Sequence, residues 1–76
     1  MLRLSAVKKG QRVRIKRLYG ELDSRPLLMG VGILPGDEIQ VVGESVLGSP
    51  LAIQFGENDL IAMRVQQADL IEVEEI

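Results

Sequence analysis

Cysteine, histidine and tryptophan are absent from this 76-residue sequence, and tyrosine and phenylalanine occur once each. Without cysteine, the chain forms no disulfide and offers no thiolate to a metal. Without histidine, it lacks the commonest general base, and its serines have no imidazole to activate them. Adjacent acids such as Asp37-Glu38 point to opposite faces of a strand and do not converge on a substrate. We therefore expect a protein that is not an enzyme and carries no metal or cofactor.

Long apolar runs are missing as well. No stretch approaches the roughly 18 consecutive apolar residues of a transmembrane helix, and the N-terminal residues 1–5 lack the apolar region of a signal peptide. The composition predicts a cytoplasmic protein with one domain, residues 1–76, and no membrane insertion. Because a domain of this size has a small core, most of its hydrophobic residues, which are 46% of the total, must contribute to that core.

Alternating apolar and polar residues predict a chain built mainly from strands. Residues 12–17 alternate strictly, with Val13 and Ile15 on the side that faces the core. Similar patterns predict four further strands, over 37–44, 51–55, 60–65 and 70–74, with a bulge or bend at Gly43. Turns are predicted at 8–11 and 56–59, and one helical turn at 66–69. Short strands separated by turns are typical of a small barrel.

One short helix is predicted at about residues 24–31, where the sequence contains signals for both helix ends. Ser24 is a favourable N-cap, and Pro26 lies in the first turn, where its missing N–H costs nothing. Gly32 suits the left-handed position that ends a helix, and Pro35-Gly36 predicts a turn before the next strand. A helix this short is not stable alone, so we expect it to dock on the barrel.

The charges are unevenly distributed along the sequence. Lysine and arginine crowd the first quarter, and four of the last eight residues are acidic. One interpretation is a nucleic-acid-binding module that uses the basic strand Arg12–Arg17. The other is that basic and acidic strands lie side by side and pair across a sheet. The scarcity of aromatic residues disfavours single-strand nucleic-acid binding, which needs stacking platforms.

Four sequence pieces, in order, resemble the FeoA family of small accessory proteins of bacterial ferrous-iron transport. The first has the spacing R-x-x-L-x-x-x-G-I-x-P-G and comprises Arg25, Leu28, Gly32, Ile33, Pro35 and Gly36. The others are Leu47-Gly48-Ser49-Pro50-Leu51, Ile61-Ala62-Met63-Arg64 and Ala68-Asp69-Leu70-Ile71-Glu72-Val73. The resemblance covers nearly the whole chain. Pro26 and Gly30 depart from the polar or charged helix formers often found in the family, and Gly30 costs the helix about 1 kcal/mol relative to alanine.

The resemblance implies an all-β, SH3-like barrel of five to six strands with the short helix inserted at about 24–31. It also implies a partner, the cytosolic GTPase-containing part of a FeoB-type ferrous iron transporter. Through this partner the protein would lie peripherally at the inner face of the cytoplasmic membrane. Self-association of the barrel into dimers or trimers is a further hypothesis.

The predicted helix is the candidate partner-binding site. Its apolar residues Leu27, Leu28, Met29 and Val31 span more than one face of a two-turn helix, so the barrel cannot cover all of them. Exposed apolar side chains can anchor a partner. We expect Leu27, Leu28 and Met29 to make the contact, with Arg25 as a charged residue at its rim.

Overall fold

The computed structural model describes residues 2–19, 33–44 and 50–76, which form mainly antiparallel β-structure. Its strands are β1 (Leu2–Arg3), β2 (Arg12–Leu18), β3 (Glu38–Glu44), β4 (Leu51–Phe55), β5 (Asp59–Met63) and β6 (Ile71–Glu75). A 3₁₀ turn covers Leu4–Ala6, and the short helix α1 covers Val65–Ala68. The predicted helix at 24–31 and most of the predicted connection at 45–50 lie outside the described residues.

The six strands form one antiparallel sheet in the order β1-β6-β2-β3-β4-β5. The first and last strands are neighbours, with Leu2 opposite Val73. The 3₁₀ turn follows the edge strand β1, and α1 follows the other edge strand, β5; the two contact each other. The two ends of the sheet therefore approach one another through these helical turns, in the small all-β, SH3-like fold that was predicted.

The core lies on the concave side of this sheet and is built by the alternation seen in the sequence. The predicted inward residues Val13, Ile15, Ile39 and Val41 are all at most 1% exposed. Every strand from β2 to β6 contributes, as do the 3₁₀ turn and α1. The other buried apolar residues are Leu4, Val7, Ile33, Leu51, Ile53, Met63, Ala68, Ile71 and Val73.

Most strand boundaries lie within a residue or two of the prediction, and one error has a clear cause. Val65 was predicted to lie in a strand but begins α1. The Gln67 side-chain oxygen accepts a hydrogen bond from the Arg64 N–H at 3.0 Å, and the Arg64 carbonyl accepts from the Ala68 N–H at 3.0 Å. These bonds start a helix at the point where the apolar pattern would have continued the strand.

Two irregularities shape the sheet. The pairing of β3 with β4 shifts between Val41 and Gly43, which confirms the predicted bulge at Gly43. The pairing of β2 with β6 shifts between Ile15 and Arg17, which the sequence did not predict. Bulges increase the local twist, and this helps a six-stranded sheet curl around so small a core.

Candidate functional site

The four residues predicted to bind a partner, Arg25, Leu27, Leu28 and Met29, lie outside the described part of the chain. The described structure does show how the residues on either side of segment 20–32 are held. Tyr19 precedes this segment, and Ile33 follows it. Both flanks are fixed to the sheet by hydrogen bonds.

The flank after the segment is anchored by the predicted Pro35-Gly36 turn. Asp37 N–H donates to the Leu34 carbonyl at 3.0 Å, and the Asp37 carboxylate accepts from Leu34 N–H at 2.9 Å. Gly36 has φ +97°, a left-handed conformation that glycine adopts without steric cost. The sequence order and this φ are typical of a type II turn, with proline second and glycine third.

This turn is bonded directly to β2. Gly36 N–H donates to the Ile15 carbonyl, and Ile15 N–H donates to the Asp37 carbonyl, each at 2.8 Å. Ile33, just before the turn, is 1% exposed and belongs to the core. The I-x-P-G part of the motif therefore has a structural role: it fixes the end of segment 20–32 against the middle of β2.

The flank before the segment is anchored by Tyr19, which the sequence pattern did not single out as a functional residue. Its backbone N–H donates to the Leu70 carbonyl at 2.7 Å. Its hydroxyl donates to Glu72 Oε1 at 2.8 Å, and the Arg3 guanidinium lies 4.8 Å from the centre of its ring. Arg3 in turn donates to the Asp69 carbonyl at 3.0 Å. Tyr19 thus joins β1, β2 and β6 at one end of the sheet.

Glu72 differs from Glu74 and Glu75, the other acids of β6, which are exposed. It does point away from the core, but it is only 8% exposed, because Tyr19 and Lys16 cover it. The Tyr19 hydrogen bond is the main cause of a lowered pKa for Glu72. Burial opposes the shift, while the positive charges of Lys16, Arg17 and Arg3 add to it. The carboxylate is therefore held in its charged form.

The local sequence carries only a weak signal for this cluster. A single tyrosine at the end of a charged strand and a glutamate in the closing strand are visible in the sequence. Their meeting depends on the pairing of β2 with β6, which places Arg17 opposite Glu72 after the bulge. Nothing in the local sequence fixes a register between strands that are more than fifty residues apart.

The basic strand β2 lies between two strands that carry acids. Arg12 and Arg14 lie 3.6 and 3.5 Å from the two oxygens of Glu38 on β3. Arg14 also lies 3.8 Å from Glu74, and Lys16 lies 3.8 Å from Glu72, both on β6. This is the cross-strand pairing that the charge pattern allowed. The nucleic-acid interpretation stays a prediction, with three of the four cations of Arg12–Arg17 facing carboxylates of neighbouring strands.

Among the described residues, no group of three or more aspartates and glutamates is placed to hold a metal ion. In the same part of the chain, no helix is long and apolar enough to cross a membrane.

The described residues define the class: a small SH3-like barrel whose basic strand lies between acidic neighbours and in which both flanks of segment 20–32 are bonded to the sheet. The chain belongs to the FeoA domain family, whose model matches residues 2–75. This confirms the resemblance identified from the sequence.

Similar solved structures are consistent with this family assignment. The solution structure of iron(II) transport protein A from Clostridium thermocellum is 40% identical, with a TM-score of 0.91 over 99% of this chain and 46% of that one. The FeoA protein from Chlorobium tepidum is 28% identical, with a TM-score of 0.90 over 99% of this chain and 70% of that one. The chain thus spans about half the length of the Clostridium thermocellum protein.

Proteins of much lower sequence identity share the fold alone. A manganese-dependent transcriptional repressor in complex with manganese has a TM-score of 0.90 over 99% of this chain and 36% of that one, at 13% identity. No curated protein matches the sequence significantly.

Proposed function

We propose that this protein is an accessory component of ferrous iron transport. Membership of the FeoA domain family supports this role, as does the 40% identity to an iron(II) transport protein A. The protein would act by contact with the cytosolic GTPase-containing part of a FeoB-type transporter, and so at the inner face of the membrane. The role requires neither catalysis nor iron bound to this chain.

The proposed contact surface is formed by Arg25, Leu27, Leu28 and Met29. The observation that carries this proposal is the anchoring of both flanks of segment 20–32. Tyr19 is bonded to β6, and the turn at Gly36 is bonded to β2. Fixing both ends of a segment before binding lowers the entropy that a contact made through it costs. Methionine and arginine are enriched at protein interfaces, and exposed apolar side chains such as leucine can anchor a partner.

A titration tests the partner. Isotopically labelled protein is mixed with the purified cytosolic domain of the FeoB-type transporter from the same source, with GDP and with a GTP analogue, and backbone NMR shifts are recorded. We expect the largest shifts within residues 20–32 and at Tyr19 and Ile33, and little change in β4. Shifts centred on β2 or β4 would contradict the proposed surface.

A variant and a matched control sharpen the test. Met29→Glu places a charge in the proposed contact and should weaken binding by at least about tenfold. Ile76→Glu makes the same kind of change at a residue that is 61% exposed and follows the end of β6 paired with Val13, away from Tyr19. It should leave binding unchanged. Equal binding by both variants, with folds intact by NMR, would overturn the assignment.

A further inference from the structure

In the described part of the chain, the edge strand β5 is left unprotected on one side. It pairs with β4 in continuous register from Asp59 to Met63, and among the described residues its ladder has no partner on the other side. Proteins usually protect such edges with charges, proline, bulges or very short strands. The opposite edge strand, β1, is only two residues long. By contrast, β5 is five residues long, carries one charge at its first position and has no bulge.

The surface beside this edge is uncharged. Leu60, which points away from the core, is 66% exposed, and Ala62 on the same side is also exposed. Across the sheet they face Gln54 and Ala52 of β4. This contrasts with the charged surface of β2 and β6. Leu60 and its small or neutral neighbours form an uncharged strip along β5, beside which another strand can pair.

The charges at the two ends of β5 identify the occupant. Glu57 and Asp59 lie at its start, and Arg64 follows its end. Within the described residues, none of these side chains forms an ion pair. Two copies of β5 laid antiparallel bring Arg64 of each copy to the acidic start of the other. With the two-fold axis at Ile61, Leu60 of each copy also faces Ala62 of the other.

We propose that β5 is the interface through which two copies of this chain associate, as an antiparallel pair that continues the sheet from one copy into the next. Backbone hydrogen bonds between the edges would supply affinity. The Leu60–Ala62 contacts and the end charges would fix direction and register. This inference concerns the protein alone and does not depend on the transporter.

Charge reversal gives a test with an internal control. Sedimentation velocity over a wide concentration range should show a monomer–dimer equilibrium for the unmodified protein. Arg64→Glu and the double variant Glu57→Lys with Asp59→Lys should each weaken dimerisation by about tenfold, since both symmetric ends change from attraction to repulsion. An equimolar mixture of the two variants should dimerise again, because each end of the mixed dimer then joins opposite charges.

Backbone NMR on each variant verifies the fold, and concentration-dependent shifts in the unmodified protein should concentrate in 59–64. Leu60→Lys should also weaken the dimer, whereas Leu34→Lys, at a residue 41% exposed outside β5, should not. A monomer at every concentration would overturn the proposal. So would a dimer dissociation constant that neither charge reversal changes, or a mixture of the two variants that fails to restore dimerisation.

Discussion

At the scale of single residues, the hydrogen bond from Tyr19 is the main cause of a lowered pKa at Glu72. The lowered pKa of Glu72 means that the unfolded chain takes up a proton at higher pH than the native one. The stabilisation is thus complete above the usual glutamate pKa. It is lost progressively as the pH falls from there through the lowered native value.

Tyr19→Phe removes the hydroxyl that is the main cause of this shift. We expect the pKa of Glu72 to rise and the acid-side loss of stability that Glu72 causes to shrink, while stability at neutral pH falls. Urea unfolding at several pH values, with NMR titration of the Glu72 carboxyl carbon, measures both. Glu74→Gln is the control, since Glu74 is exposed and contacts Arg14 instead. An unchanged Glu72 titration in Tyr19→Phe would show that the hydroxyl does not set its pKa.

Gly36 provides a second test at this scale. A methyl group at Gly36 meets open space, but φ is +97°, so the cost of alanine is conformational. We expect Gly36→Ala to lower the free energy of unfolding by about 1–2 kcal/mol, measured by urea denaturation. Gly43→Ala is the matched control. It lacks a positive φ, and its methyl would meet the Ala52 Cβ at an ordinary 3.6 Å, so its effect should stay within about 0.5 kcal/mol. Equal losses for the two variants would rule out backbone strain at Gly36.

At the scale of elements, β4 shows how a strand with alternating buried apolar residues stabilises the fold. Ile53 is fully buried between strands β3 and β5, so truncation removes apolar contacts and leaves a cavity. We expect Ile53→Ala to cost about 2–5 kcal/mol and Ile53→Val about 0.5–1.5 kcal/mol, by urea denaturation. Ile76→Ala changes the same residue type where it is 61% exposed and should have little effect. A small loss for Ile53→Ala would show that the core collapses around the missing atoms.

The ion pairs of β2 contribute to the fold in a different way. Their side chains are about half exposed, and exposed pairs are worth up to about 1 kcal/mol each. Their main effects are therefore to favour the observed register of β2 with its neighbours and to reduce the net positive charge of that surface. Because β3 and β6 supply carboxylates to the cations of β2, β2 has a structural role in the barrel.

At the scale of the whole molecule, the topology is dominated by distant pairings. β1 pairs with β6, placing Leu2 opposite Val73, and β6 in turn pairs with β2. Closing such long loops has an entropic cost that must be met before the contacts form. We expect cooperative folding with time constants of about milliseconds to seconds, measured by stopped-flow urea jumps at low protein concentration. Microsecond folding would indicate that local contacts dominate instead.

The sequence by itself determined the all-β class, the strands with their inward residues, the turn at Pro35-Gly36 and the family. These features depend on local periodicity and backbone preference, which short stretches of chain carry on their own. Only the tertiary structure decided that the basic strand lies between acidic ones, that Tyr19 covers Glu72, and that β5 ends the sheet. Those facts depend on strand order and register between residues far apart in the chain, and the buried core as a whole selects that arrangement.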